Sequence, residues 1–223
     1  MNGLSSYKSE FIQFAAELNA MTFGEFVLKS GRISPWFFNS GSFDTGQALA
    51  QLGKYYATAI VESKLEFDVL FGPAYKGIPL ATIVATALYE HHDISKLVSY
   101  NRKETKDHGE GGDLIGAPVS EQKALIIDDV ITAGTAFCQS EELINRYGGT
   151  TVGACVIVDR QEVGHDLEQS AIQQINDIYS VPVLSIIKFD DVITHFTETG
   201  ENSDLLQKMT DYRHHYGAER AEL

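Results

Sequence analysis

Two adjacent carboxylates, Asp128 and Asp129, are followed by Val130 and Ile131 and then by the small-residue run Thr132-Ala133-Gly134-Thr135-Ala136. Consecutive backbone N–H groups at the start of a helix, with Gly134 permitting close approach, make a cradle for a phosphate monoester. The hydroxyls of Thr132 and Thr135 add donors. The two acids repel a phosphate, so they must serve a different group a few ångströms away. Carboxylates only accept hydrogen bonds, which suits a vicinal diol donating two. Phosphate and diol together describe a ribose 5-phosphate. From spacing alone, a metal site or a plain acidic turn fits these residues equally well.

Other candidates for chemistry are cations and aromatics. Tyr75 and Lys76 stand in a glycine-rich turn, and Arg160 follows Asp159 at the end of an apolar run. Arg102, Lys103, Lys106 and His108 crowd a segment, 101–113, that has three glycines and no apolar anchor. That composition predicts an exposed loop with little to hold it down. Taken singly, Phe37 and Phe38 fit a core and Lys29 a solvated turn.

The elements that must position these residues are legible from periodicity. Ala124 to Ile127 is a buried strand entering the acids, and a helix follows over Phe137 to Tyr147, stopped by Gly148-Gly149. Phe67 to Phe71, Lys96 to Tyr100, Thr151 to Val158 and Val183 to Ile187 read as further strands, with Leu114 to Val119 resuming the chain after the basic segment. Helices are expected from Gly46 to about Leu65, from Leu80 to Tyr89, near Leu167 to Ile178 and in the tail from Ser203. Ser6 is placed as the cap of a first helix carrying Tyr7, Phe11, Phe14, Ala15 and Leu18. Met21 to Leu28 and Ser34 to Asn39 predict a hairpin. Alternating strands and helices imply an α/β fold with a mostly parallel sheet flanked by helices. Ligands in such sheets bind at the carboxyl ends of strands, where Asp128, the glycine turn and Arg160 fall. Nothing marks an internal boundary, so residues 1–223 read as a single domain.

The pentapeptide Asp128-Asp-Val-Ile-Thr132 has a near copy, Asp190-Asp-Val-Ile-Thr194, that continues without the glycine turn. Its backbone could not wrap an anion, and Asp190 is read as a helix cap with Val192, Ile193 and Phe196 on the buried side. Cys138 and Cys155 lie in apolar contexts without metal-ligand spacing. Net charge is −14 across 223 residues, which argues against nonspecific contact with nucleic acid or anionic membrane. No apolar run approaches the ~20 residues that span a bilayer. A cytoplasmic protein is expected.

Four apolar residues, Asp-Asp, a variable pair and Thr-Ala-Gly-Thr resemble the phosphoribosyl pyrophosphate (PRPP) motif of type I phosphoribosyltransferases. Lys29-Ser-Gly-Arg-Ile-Ser-Pro-Trp-Phe-Phe-Asn39, Phe71-Gly-Pro-Ala-Tyr-Lys-Gly-Ile-Pro79 and Arg102-Lys-Glu-Thr-Lys-Asp-His-Gly-Glu-Gly-Gly112 are similar to the orotate phosphoribosyltransferase family. The likeness runs from the first helix to about Asp191, with Trp36 where a Tyr is common. It implies the type I phosphoribosyltransferase fold, with a small N-terminal hood built mainly from residues 1–40 and C-terminal segments.

The resemblance also implies roles. Asp128 and Asp129 would hold the ribose hydroxyls, and Val130 and Ile131 would lead into the wrap of Thr132 to Ala136 around the 5-phosphate. Tyr75 and Lys76 would fall on the pyrophosphate turn, where the family often has a non-proline cis peptide. Arg102, Lys103, Lys106 and His108 would be the catalytic cations of a mobile loop, 102–113, closing in trans over the neighbouring subunit's site of a homodimer. Lys29 is expected at both substrates, and Phe37, Phe38, Thr132 and Arg160 at orotate. Mg²⁺ is the expected cofactor, carried on PRPP oxygens and water with Asp128 and Asp129 nearby. The expected activity is transfer of ribose 5-phosphate from PRPP to orotate, giving orotidine 5'-phosphate and pyrophosphate in pyrimidine biosynthesis. The rivals are a purine-base transferase and a PRPP-sensing regulator of the same fold.

Overall fold

The chain's computed structural model describes residues 4–106, 112–164 and 168–218. A six-stranded sheet is built from β3 (Val69–Gly72), β4 (Leu97–Lys106), β5 (Gly112–Gly116), β6 (Lys123–Ile127), β7 (Thr150–Asp159) and β8 (Val183–Lys188), in the order β5-β4-β3-β6-β7-β8. All neighbours are parallel except β4 and β5. The central strands are apolar and buried, apart from the exposed Lys123 that opens β6, because helices cover both faces. Leu70, Leu125, Ile127, Cys155 and Ile157 pack on one side with α1 (Ser6–Glu17), α2 (Gly46–Ser63) and α3 (Gly77–His92). Val69, Phe71, Ala124, Ile126 and Ala154 pack on the other with α4 (Thr135–Arg146) and α5 (Ala171–Tyr179). Alternate residues of each strand thus serve opposite cores.

β1 (Met21–Val27) and β2 (Ile33–Phe38) form the expected antiparallel hairpin, with Trp36 fully buried and stacked on Phe189 at 5.0 Å. Phe189 opens α6 (Phe189–Thr199), and the last helix is α7 (Ser203–Tyr216), whose Leu205, Met209 and Tyr212 are buried. α6 and α7 therefore close the hairpin onto the end of the sheet. No helix among the described residues is long and apolar enough to cross a membrane.

Several expectations are corrected. Ser5, not Ser6, is the N-cap of α1, and its carbonyl accepts from the amides of Lys8 and Ser9. The basic segment is not an unanchored loop over its whole length: β4 continues to Lys106, whose register partner is Gly112. Backbone pairing needs no apolar side chain, and Asp113 is further held by Tyr147 Oη and Arg146. α5 begins only at Ala171, behind a capping box of Ser170 and Gln173. In α6 the cap on Lys188 N is Asp191 at 2.7 Å rather than Asp190, which bonds Gln161 and Arg213 instead.

Candidate active site

The acids leave the sheet at the carboxyl end of β6 and remain tied to β7: Asp128 N donates to Cys155 O, Ile157 N donates to Asp129 O, and Val130 bridges Val158. Beyond them Thr132, Ala133, Thr135 and Ala136 are exposed, while Phe137 is buried and anchors the helix that follows. Gly134 is the N-cap of α4 with φ 73°, a left-handed conformation that glycine adopts without steric cost. It has no side chain to cap the helix, which leaves the first-turn amides of α4 to an anion. The residues expected to form the cradle, Thr132 to Ala136, therefore lie at this helix start.

Asp129 is the charged centre of the site and is only 7% exposed. Its Oδ2 accepts from Ser40 Oγ and from Lys76 Nζ, each at 2.6 Å, and its Oδ1 accepts from Val130 N at 2.9 Å. Burial acts to raise this carboxyl, but the hydrogen bonds from Lys76 and Ser40 outweigh it and hold the group below the ordinary aspartate value. Among the described residues, no cation bonds Asp128. Burial is the main cause that pushes its carboxyl up to about 6, opposed by a 2.9 Å hydrogen bond from Asp129 N. Below Asp128 lies Tyr56, whose hydroxyl donates to the Asp128 carbonyl at 2.7 Å; burial holds that phenol well above its ordinary value and so protonated.

Lys76 reaches Asp129 because the turn after β3 presses against the end of β6. A Cβ on Gly77 would stand 2.7 Å from Ile127 O and 2.5 Å from Pro73 Cδ, so only glycine fits there. The Ala74–Tyr75 peptide is cis, Tyr75 is largely exposed, and Ala74 N donates to Asn101 Oδ1 at 2.7 Å. Asn101 therefore links this turn to the strand that carries Arg102, which is half-buried. Lys103 and Lys106 lie on β4; their side chains, and His108 entirely, fall outside the described residues.

Around the hairpin, Phe37 is 41% exposed and leans on Phe26 at 5.6 Å, whereas Phe38 is half-buried against Phe43. Phe37 thus offers a face for stacking, and Phe38 is shared with the core. The Arg160 guanidinium lies 4.2 Å over the Trp36 ring and donates to Glu162 Oε1 at 2.6 Å and Ser34 Oγ at 3.3 Å. Lys29 is exposed in the turn between β1 and β2, at the opposite end of the hairpin from Asn39. Ser40, Tyr56, Asn101 and Glu162, which bond Asp129, Asp128, Ala74 and Arg160, are positions that sequence reasoning passed over. Only Ser40 had a local signal, the Ser-Gly-Ser cluster after Phe38.

A cavity of about 830 Å³ runs along β8 between α1, α5 and α6, and none of the residues expected at the substrates lines it. Among the described residues, no group of three or more His, Cys, Asp or Glu could hold a metal ion.

Residues 39–183 match the phosphoribosyl transferase domain family. The orotate phosphoribosyltransferase of Haemophilus ducreyi is 53% identical over 214 residues, spanning 96% of this chain and all of its own. That of Vibrio vulnificus (strain YJ016) is 50% identical with the same coverage. The crystal structure of orotate phosphoribosyltransferase from Francisella tularensis superposes with a TM-score of 0.87 at 40% identity, covering 93% of this chain and 99% of that one. The UMP synthase of Leishmania donovani, at 19% identity, shares the fold with a TM-score of 0.71 over 42% of its length.

Proposed function

The chain belongs to the orotate phosphoribosyltransferase family, and on that premise we propose that it transfers ribose 5-phosphate from PRPP to N1 of orotate, releasing pyrophosphate. The observation that carries the reading at the level of residues is the convergence on Asp129. Lys76 from the turn after β3 and Ser40 from the end of the hairpin meet one carboxylate beside an exposed helix N-terminus. A purine-base transferase or a PRPP-sensing regulator has no such support, since the full-length relatives are named for orotate.

In this reading Thr132 to Ala136 hold the 5-phosphate, with Val130 and Ile131 leading into the wrap, and Asp128 and Asp129 accept the ribose hydroxyls. Tyr75 and Lys76 meet the pyrophosphate. Phe37 stacks on the pyrimidine, Phe38 completes that face, and Lys29 and Arg160 meet its carboxylate and carbonyl edges. The C1–O bond breaks with its electron pair going to pyrophosphate, the ribose gains oxocarbenium character, and the deprotonated N1 of orotate bonds to C1 with inversion. Positive potential from Lys76, Arg102, Lys103, Lys106 and His108 stabilises the departing charge, and closure of 102–113 over the site excludes water. That loop acts in trans within a homodimer.

Mg²⁺ fits only as a passenger of PRPP. The described residues provide no cage, and Mg²⁺ is usually held by one or two carboxylates plus substrate phosphates and water. Bound there near Asp128 and Asp129, it would supply Lewis-acid neutralisation of the pyrophosphate oxygens. The direct test is orotate consumption, followed by its absorbance, with and without PRPP and Mg²⁺. Loss of absorbance only when both are present is expected; no loss with all three present overturns the assignment.

A further inference from the structure

The near copy of the acidic motif and the last helix play no part in the phosphate cradle, yet both converge on the residues that flank Arg160. Gln161 sits in the left-handed region, φ 52°, with its amide donating to Asp159 Oδ1 at 2.8 Å. Its side chain is clamped at both ends by the first acid of the near copy: Asp190 N donates to Gln161 Oε1 at 2.8 Å, and Gln161 Nε2 donates to Asp190 Oδ2 at 3.0 Å. From α7, Arg213 donates through Nε to Asp190 Oδ1 at 2.9 Å and through Nη1 to Ala218 O at 3.0 Å.

Residues 216–218 then pair with the Arg160 turn as a short piece of antiparallel strand. Ala218 N donates to Gln161 O at 2.8 Å, Val163 N donates to Tyr216 O at 2.9 Å, and Glu162 is bridged to Gly217. Arg32 of the hairpin completes the hold, donating to Val163 O at 2.7 Å and Gly164 O at 3.1 Å while lying over the Tyr216 ring. Every residue from 161 to 164 is fixed by the hairpin, α6 or the C-terminal segment. Glu162, so fixed, receives the guanidinium of Arg160.

We propose that Arg213, acting through Asp190, Gln161 and Ala218, is a positioning residue for base recognition: it braces the turn after β7 so that Arg160 is presented over Trp36 toward the pyrimidine. The inference rests on Arg160 meeting orotate, as assigned above. It gives the C-terminal helix, which carries no sequence motif, a task in substrate selection.

The test is steady-state kinetics of the full-length protein. Arg213→Ala should raise KM for orotate about tenfold, the effect of losing one charge-assisted hydrogen bond's worth of placement, with a smaller change in KM for PRPP. Arg213→Lys should recover part of the loss, because an ammonium can satisfy Asp190 or Ala218 O but lacks the fork that reaches both. Gln161→Ala should show the same split, and it serves if Arg213→Ala does not fold. In an Arg160→Ala background, Arg213→Ala should add less than about twofold to KM for orotate, since the brace then has nothing to position. A purely structural Arg213 would move both KM values alike, or would act as strongly without Arg160, and either result overturns the proposal. If the unmutated protein itself turns over no orotate, the functional assignment fails first and the brace falls with it.

Discussion

Ser40 Oγ donates a 2.6 Å hydrogen bond to Asp129 Oδ2 across 89 positions of sequence, and the same hydroxyl accepts from Lys76 Nζ at 2.9 Å. One small residue after the hairpin thereby connects the strand carrying Phe37 and Phe38 to both Asp129 and the turn after β3. It also supports the ionised state of Asp129, whose burial would otherwise favour the neutral acid.

Ser40→Ala removes that support. Asp129 would lose one of its two side-chain donors, and Lys76 would lose a tether. KM for PRPP should rise about three- to tenfold, the equivalent of the roughly 0.5–1.5 kcal/mol net of one typical hydrogen bond, with a smaller effect on KM for orotate. Initial rates with PRPP varied at saturating orotate measure this. An unchanged KM for PRPP would remove Ser40 from the site.

Asp128 sets a pH dependence. Its carboxyl is raised to about 6 in the folded chain, so its protonated form is the one that favours folding. That contribution is complete below the ordinary aspartate value and is lost as pH rises through about 6. Diol binding needs the opposite, the carboxylate, so KM for PRPP should climb as pH falls below about 6, by up to about tenfold per unit. PRPP phosphates also titrate near 6. The comparison is therefore with Asp128→Asn, whose profile should be flatter between pH 5 and 7, and identical curves would show that Asp128 does not titrate there.

How much of this was legible depends on the range over which each residue acts. The cradle at Thr132 to Ala136 is local: strand, acids, glycine turn and helix are contiguous, and composition shows them. Ser40, Asn101 and Glu162 act on partners that only folding brings near, and a lone Ser or Asn has no periodicity to betray it. Asp190 misled because a capping acid and a bonding hub look alike before the C-terminal helix is placed. The basic segment misled in the opposite sense: its lack of apolar residues predicts a loop, but edge pairing of β4 with β5 is a backbone affair that charged side chains do not prevent.

Gly134→Ala tests the cradle. The added Cβ would meet Ile175 Cδ1 at 3.7 Å, an ordinary contact, so the cost is conformational and comes from φ 73°. A left-handed non-glycine residue costs roughly 1–2 kcal/mol, which for a chain of this size lowers Tm by about 2–8 °C. KM for PRPP should rise as the first-turn amides of α4 shift. A variant that keeps both its Tm and its KM would show that the loop does not need this conformation.

Lys106 carries the prediction that separates leaving-group chemistry from binding. Its backbone ends β4 opposite Gly112, at the base of the segment expected to close over pyrophosphate. A cation that meets charge only as it develops contributes to kcat, so Lys106→Ala should lower kcat by about 10²–10³ while changing either KM much less. Closure in trans can be read from mixtures. Lys106→Ala and the double variant Asp128→Asn, Asp129→Asn are each expected to be nearly inactive, but a heterodimer of the two holds one intact site. After complete exchange at equal amounts, half the dimers are mixed, so recovery should approach about a quarter of wild-type activity. Exchange verified by differential tagging without recovered activity would place the loop over its own subunit's site instead.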